Sequence, residues 1–341
     1  MRDLIAFITI VVVTAILYWG VEPYAHSVMH PHVAPANFDF AQEDIDFAKS
    51  EVQNTQNALN EAKSTQNEEA ITNAQRAFVI ANSNLADYEA FWGEINSIDL
   101  SKGNAQNGAE LVNLAGCGAC HGIKSAGMPE PMDAQTASEA YGVNPPDLSD
   151  IGYLYDEKFL AALIKDPVRA LKIGHKFGDT NPFPMTAFFG AGGDLNQEVA
   201  DLVAYFKSIA PKEMSNKDAF ISACARCHDM KYAQIYTQGN KQSLAAYLGT
   251  TPPDLSMYIR SRSMDYLHNF INDTQKMLPG TSMPRVGLNE KAQNQVIAYM
   301  EEVGDSKKAQ RESLGWWIMG YFFILGIFAV LWKRKVWKDL H

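Results

Sequence analysis

Cysteine is scarce in this chain. Among 341 residues there are four, and all of them fall in two Cys-x-x-Cys-His boxes, so none is left to form a disulfide. A surplus of positive charge is missing as well. The chain carries 29 Lys+Arg against 39 Asp+Glu, a formal charge of −10, and lacks the basic face that nucleic-acid binding requires. Between Phe40 and Trp92 there is neither glycine nor proline, which removes the usual turn-makers from more than fifty residues. Finally, charge is absent from two stretches, Leu4–Val21 and Leu314–Trp332, runs of 18 and 19 residues. The apolar and charged fractions of the whole, 47% and 20%, are those of a globular protein and exclude bulk disorder.

The two uncharged runs are long enough to cross a bilayer as helices. The first resembles a cleaved leader poorly. Arg2 is offset by Asp3, the apolar run is too long, and no small-x-small site stands out near Tyr18–Glu22, so an uncleaved anchor is expected. Trp19 and Trp316/Trp317 suit one membrane interface and Trp332 the other. Lys333, Arg334, Lys335 and Lys338 follow the second run and mark a cytoplasmic end, which places the large middle region outside. That middle is acidic: residues 21–313 hold 24 Lys+Arg and 37 Asp+Glu. Such a field either steers a basic partner or keeps the region dispersed. His26, His30 and His32 cluster beside the first span, where membrane-proximal polarity outweighs a metal site.

The Gly/Pro-free stretch is rich in Ala, Gln, Asn and Glu, with Ile45, Val52, Leu59, Ile71, Phe78 and Leu85 at loosely helical intervals. It reads as one long helix, or two packed antiparallel with a turn near Ser64-Thr65-Gln66-Asn67. So polar a helix needs a partner, either itself or another subunit. Nothing in it suggests chemistry, and a spacer or interaction arm is expected.

The remainder is an internal repeat. Cys117-Gly-Ala-Cys-His121 is matched by Cys224-Ala-Arg-Cys-His228, and Pro145-Pro-Asp-Leu-Ser149 recurs as Pro252-Pro-Asp-Leu-Ser256. In each half the first proline lies 28 residues after the first cysteine. Each half then offers a proline-flanked methionine, Met185 and Met283, and closes with an amphipathic helix. The expected division is therefore an anchor over 1–22, an extended segment and helical arm or hairpin over 23–100, two units over 101–210 and 211–308, and a second anchor with a basic tail over 309–341.

Cysteines at i and i+3 with a histidine at i+4 share one face of a helical turn, the arrangement that attaches c-type haem through two thioethers and places imidazole on the iron. Zinc would need no histidine in each box, and a thioredoxin-like pair would need a βαβ setting that is absent. Cys117, Cys120, Cys224 and Cys227 are thus candidate attachment points for two haems, with His121 and His228 as iron ligands. For the sixth position the matched Met185 and Met283 are favoured, 64 and 55 residues after their histidines. Thioether ligation raises the potential and suits a carrier late in a respiratory chain. The competitors are His175, Met128 and Met132 in the first half, and Met264 and Met277 in the second. His268 has no counterpart at the same offset in the first half and reads as a structural or surface residue. The Pro-Pro-Asp-Leu-Ser segments stiffen the chain and supply helix caps through Asp147/Ser149 and Asp254/Ser256, with Pro146 and Pro253 packing on a haem edge.

The segment Thr251-Pro-Pro-Asp-Leu-Ser-Met-Tyr-Ile-Arg-Ser-Arg262 resembles cytochrome c1, the haem subunit of quinol–cytochrome c reductase (the cytochrome bc1 complex), and so does an anchor with a basic tail after the haem domain. Two boxes, two spans and the arm depart from the ordinary form, and the chain most closely resembles the dihaem cytochrome c1 of epsilonproteobacterial reductases. The first half has Asp150-Ile-Gly-Tyr-Leu-Tyr155 where the Arg pair would stand. The resemblance implies an all-α chain with two tandem class I cytochrome c domains, and it implies that Arg260 and Arg262 meet haem propionates. It also implies cytochrome b and a Rieske iron–sulfur protein as partners in a dimeric complex, with a soluble cytochrome c or terminal oxidase as acceptor. The haem domains would lie on the periplasmic side of the inner membrane. No quinol-binding or proton-transfer constellation is apparent, so that chemistry is expected in a partner subunit. A dihaem subunit of a terminal oxidase is the nearest rival, although its anchors would precede the haem domains. A dihaem peroxidase would need an open iron position where each half offers a methionine.

Overall fold

A computed structural model of the chain describes residues 2–29, 34–178 and 181–338. The protein is all-α: 69% is helical, and no strand forms among the described residues. Met1, the segments 30–33 and 179–180 and the last three residues lie outside the described part. His30 and His32 therefore fall outside it, as does the His26 side chain.

The N-terminal helix α1 (Arg2–Ile16) continues through a π turn over Leu17–Val21 into α2 (Glu22–Met29). Its large apolar side chains are exposed, which marks a surface built for something other than water. The next helices, α3 (Phe40–Thr65) and α4 (Glu68–Asn96), form an antiparallel hairpin. Gln66 stops α3 in the left-handed conformation at φ 57°, and Asn67 caps α4 by accepting from the Ala70 amide. A polar quartet thus makes the turn without glycine. The hairpin packs on itself and is also built into the rest of the chain at one end. At its base Phe40, Phe91, Trp92, Ile95 and Ile98 belong to the same buried core as Phe159, Leu160 and Val203 of the first unit.

That first unit comprises α5 (Ala105–Leu114), α6 (Ala134–Tyr141), α7 (Ile151–Leu154), α8 (Glu157–Lys165), α9 (Pro167–Ala170) and α10 (Leu195–Ile209). The first and last helices cross closely because Gly108 has no side chain: a Cβ there would collide with the α10 backbone at Asp201. The second unit repeats the order with α11 (Asn216–Cys224), α12 (Lys241–Leu248), α13 (Tyr258–Ser261), α14 (Met264–Asn272), α15 (Thr274–Met277) and α16 (Glu290–Gly304). It has its own core, with Phe220, Met230, Leu288, Val296 and Ile297 fully buried.

The units pack against each other. Helix α6 meets its counterpart α12, where the Asn240 amide donates to Ser138 Oγ at 2.6 Å and Asn240 Nδ2 to Glu139 at 2.9 Å. Further along, Tyr155 and Leu288 form an isolated bridge, and the Asn289 amide donates to the Leu154 carbonyl at 2.8 Å. Beyond Gly304 the chain turns into α17 (Lys308–Lys338), whose start is pinned by a two-armed contact of Arg311 with Asp305 at 2.7 and 2.8 Å. At about 1.5 Å per residue, 31 residues reach roughly 46 Å, more than the ~30 Å apolar thickness of a bilayer. Among the described residues two helical stretches, Leu4–Ala25 and Lys308–Lys338, are long and apolar enough to cross a membrane.

Candidate functional site

Each Cys-x-x-Cys-His box is a single helical turn. In the first, Gly116 (φ 71°) ends α5, and the His121 amide returns to the Cys117 carbonyl at 3.0 Å. In the second, α11 runs into Cys224 itself, and the His228 amide bonds the Cys224 carbonyl at 2.9 Å. An i to i+4 bond places cysteines and histidine on one face, as the spacing requires.

The histidines are held in one orientation by the prolines. His121 Nδ1 lies 2.8 Å from the Pro146 carbonyl oxygen, and His228 Nδ1 lies 2.8 Å from that of Pro253. A carbonyl only accepts, so Nδ1 carries the proton and Nε2 presents its lone pair. Burial pushes both imidazoles below their ordinary range and keeps them neutral near pH 7, with the Arg226 charge adding to that effect at His121. A neutral ring with Nδ1–H tied back is the form in which a histidine ligates iron. Burial likewise raises the Cys117 and Cys227 thiols and pushes Cys224 up to about 12, so these are protonated groups rather than the reactive thiolates of a redox pair. All four cysteines are free and partly accessible. The donor set and its preset tautomer fit a haem held by two thioethers and one imidazole.

The repeat holds at the level of single hydrogen bonds. Asp147 Oδ1 accepts from the amide and hydroxyl of Ser149, at 2.9 and 2.5 Å, and Ser149 Oγ accepts from the Ser125 amide. In the second unit Asp254 Oδ1 accepts from both groups of Ser256, and Ser256 Oγ accepts from the Tyr232 amide. These contacts stitch the proline segment to the loop that leaves each box. Asp254 also caps a helical turn, Leu255–Met257, as the sequence suggests. Asp147 does not cap α7: that helix begins at Ile151, three residues too late, and its N-cap Asp150 makes no side-chain cap.

Met185 and Met283 both lie half-buried on the loops that precede the closing helices. The Met283 carbonyl accepts from Thr274 Oγ1 at 2.9 Å. Among their competitors His175 is exposed and Met264 is 42% exposed at the start of α14, whereas Met128 packs on the first core. Arg260 and Arg262 stand exposed at α13 and its end. The Arg262 guanidinium lies over the Tyr266 ring, 5.5 Å from its centre, and Arg260 contributes its charge to Asp305. His268 is structural, its Nδ1 3.0 Å from Gln293 Nε2.

Sequence reasoning passed over Arg226, inside the second box. Its Nη1 reaches the Asn144 carbonyl of the first unit at 3.4 Å, and its Nε is buried without a protein partner. Nearby Tyr247 lies against Gly142, with its ring 5.4 Å from that of Phe177, and its hydroxyl is also buried and unpartnered. The two boxes therefore face a shared seam between the units. Only the inter-unit packing brings these residues together, and no spacing in the sequence signals it.

No curated protein and no solved structure matches the chain. One family model does, that of cytochrome c, over residues 105–210. This span runs from the start of α5 to the end of α10 and takes in the first box, the Pro146 clamp and Met185. The segment from 105 to 210 is therefore a cytochrome c domain, and the chain is a redox protein that binds c-type haem covalently.

Proposed function

We propose that the chain is a membrane-anchored dihaem electron carrier, the cytochrome c1-type subunit of a quinol–cytochrome c reductase. The observation that carries the second haem is the duplicated clamp: His228–Pro253 repeats His121–Pro146 at the same 2.8 Å, in a unit of the same helix order. Cys117, Cys120 and His121 would hold one haem, and Cys224, Cys227 and His228 the other, with Met185 and Met283 as the far ligands. Haem supplies a reversible one-electron couple when bound. The protein's own part is to fix ligand orientation, exclude water from the imidazole face and set the charge nearby.

The cytochrome c1 assignment draws on the Pro-Pro-Asp-Leu-Ser segment with Arg260 and Arg262, and on an anchor that follows the second unit directly. In this reading the units lie on the periplasmic face of the inner membrane, beside cytochrome b and a Rieske protein. Electrons enter from the Rieske centre and leave to a soluble cytochrome c or an oxidase. The second unit, adjoining the anchor and bearing the arginine pair, is the receiving one. Purification of the tagged full chain in mild detergent tests the assignment. Covalent haem in one peak with cytochrome b and a Rieske protein is the expected result. Oxidase subunits in that peak, or haem with neither partner, would remove the reductase reading.

A further inference from the structure

The hairpin, which carries no chemistry in its sequence, delivers one buried carboxylate to the second unit. Asp44 of α3 is 1% exposed, and Arg285 grips it with both arms, Nη1 to Oδ2 at 2.8 Å and Nη2 to Oδ1 at 2.5 Å. Arg285 is itself fully buried and also reaches Asp273 Oδ2 at 2.9 Å. Lys172 of the first unit closes the ring, 3.1 Å from Asp44 and 2.6 Å from Asp273. Trp92 Nε1 of α4 donates to Asp44 at 3.0 Å. Two acids and two cations from three parts of the chain thus neutralise one another out of water. Such a set demands close geometry, because a lone buried charge is costly.

Arg285 stands two residues after Met283, and its amide donates to the Leu171 carbonyl of the first unit at 3.0 Å. On the other side Ser282 Oγ donates to the Leu248 carbonyl at 2.5 Å, and Gln275 Nε2 to the Thr281 carbonyl at 2.7 Å. The stretch around Met283 is therefore tied at both ends, and the distal tie is the ionic ring. The first unit differs. Asp166, which occupies the Asp273 position of the repeat, pairs with half-exposed Arg169 at 3.4 Å instead of a buried guanidinium.

We infer that the hairpin is a positioning element for the second unit: Asp44, acting through Arg285, holds the Met283 loop in place. Asp44 is a positioning residue and touches no iron ligand. The inference rests on Met283 as a ligand, and it predicts that Asp44 serves one haem of the two.

The test uses the full chain in detergent with its haem attached, and reads the far-red absorption band that thioether ligation gives ferric haem, together with the potentials of both centres. Asp44→Asn should lower that band to about half and shift one potential downward, since loss of the thioether favours the oxidised state. In an Arg285→Met background, which removes the buried cation as well, Asp44→Asn should add nothing further. That double variant also keeps the test open should Asp44→Asn alone fold poorly. An unchanged band in folded Asp44→Asn, or equal losses at both centres, would overturn the inference. Met283→Ala separates the two layers. If it leaves the band intact, the ligand reading is what fails. If it abolishes half the band while Asp44→Asn does not, the positioning role fails.

Discussion

Burial of a charge fixes how much a single substitution costs. Asp44→Ala leaves Arg285 and Lys172 short of a partner inside the core, and should cost about 3–5 kcal/mol in denaturant unfolding. Glu51→Ala, on the exposed face of the same helix, should stay within about 0.5 kcal/mol. The same ring gives a pH signature. Burial alone would raise the Asp44 carboxyl, but Arg285 and Lys172 overcome it and hold the group at about 2 against an ordinary 3.8. Because the folded value is depressed, its stabilisation is complete above 3.8 and is lost as pH falls toward 2. The melting temperature should drop through that window, and Asp44→Asn should flatten the drop. Arg226 offers a redox counterpart. A cation near His121 favours the state with less positive charge, so Arg226→Leu should lower the potential of the haem at the first box, read in an optical titration. An unchanged potential would place the charge elsewhere. At this scale the sequence announces the cysteines and histidines, because attachment chemistry fixes their spacing. It is silent on the ring that joins Asp44, Lys172 and Arg285, because Asp44 lies 128 residues from Lys172 and 241 from Arg285 along the chain.

Helices and turns were more legible. Periodicity leaves one long helix or a hairpin, and the polar quartet marks the turn, where Gln66 takes the positive φ that stops α3. What periodicity misses is the mixed character of the hairpin: it is polar over most of its length but apolar at the base, where Phe40, Phe91 and Trp92 enter the first core. The average polarity reads as a spacer or interaction arm, and it hides the apolar base that joins the first core. The proline segments look like helix caps by composition, yet the first binds Ser149 and the post-box loop instead, because α7 starts too late to be capped by Asp147. Gly142 shows an element contact with a sharp test. It ends α6 at φ 83°, and a Cβ there would strike the Tyr247 ring of the other unit. Gly142→Ala should cost at least about 1 kcal/mol and open the α6–α12 seam to hydrogen exchange, with the far end of the hairpin unaffected.

At the scale of the whole molecule the design is asymmetric. Two units of one helix order sit side by side, but one shares its core with the hairpin and the other runs directly into α17. The duplicated motifs make the repeat readable from sequence. The seam between units, where Arg226, Tyr247 and Gly142 meet, is a product of packing and leaves no periodic trace. Whether both boxes are loaded is read directly in the intact mass of the purified full chain. The mass should exceed that of the polypeptide by two haems. It should fall to one in Cys117→Ser/Cys120→Ser and to one in Cys224→Ser/Cys227→Ser. A single haem in the unaltered chain, lost entirely when the first box is removed, would contradict the account and leave the second unit a structural copy without a cofactor.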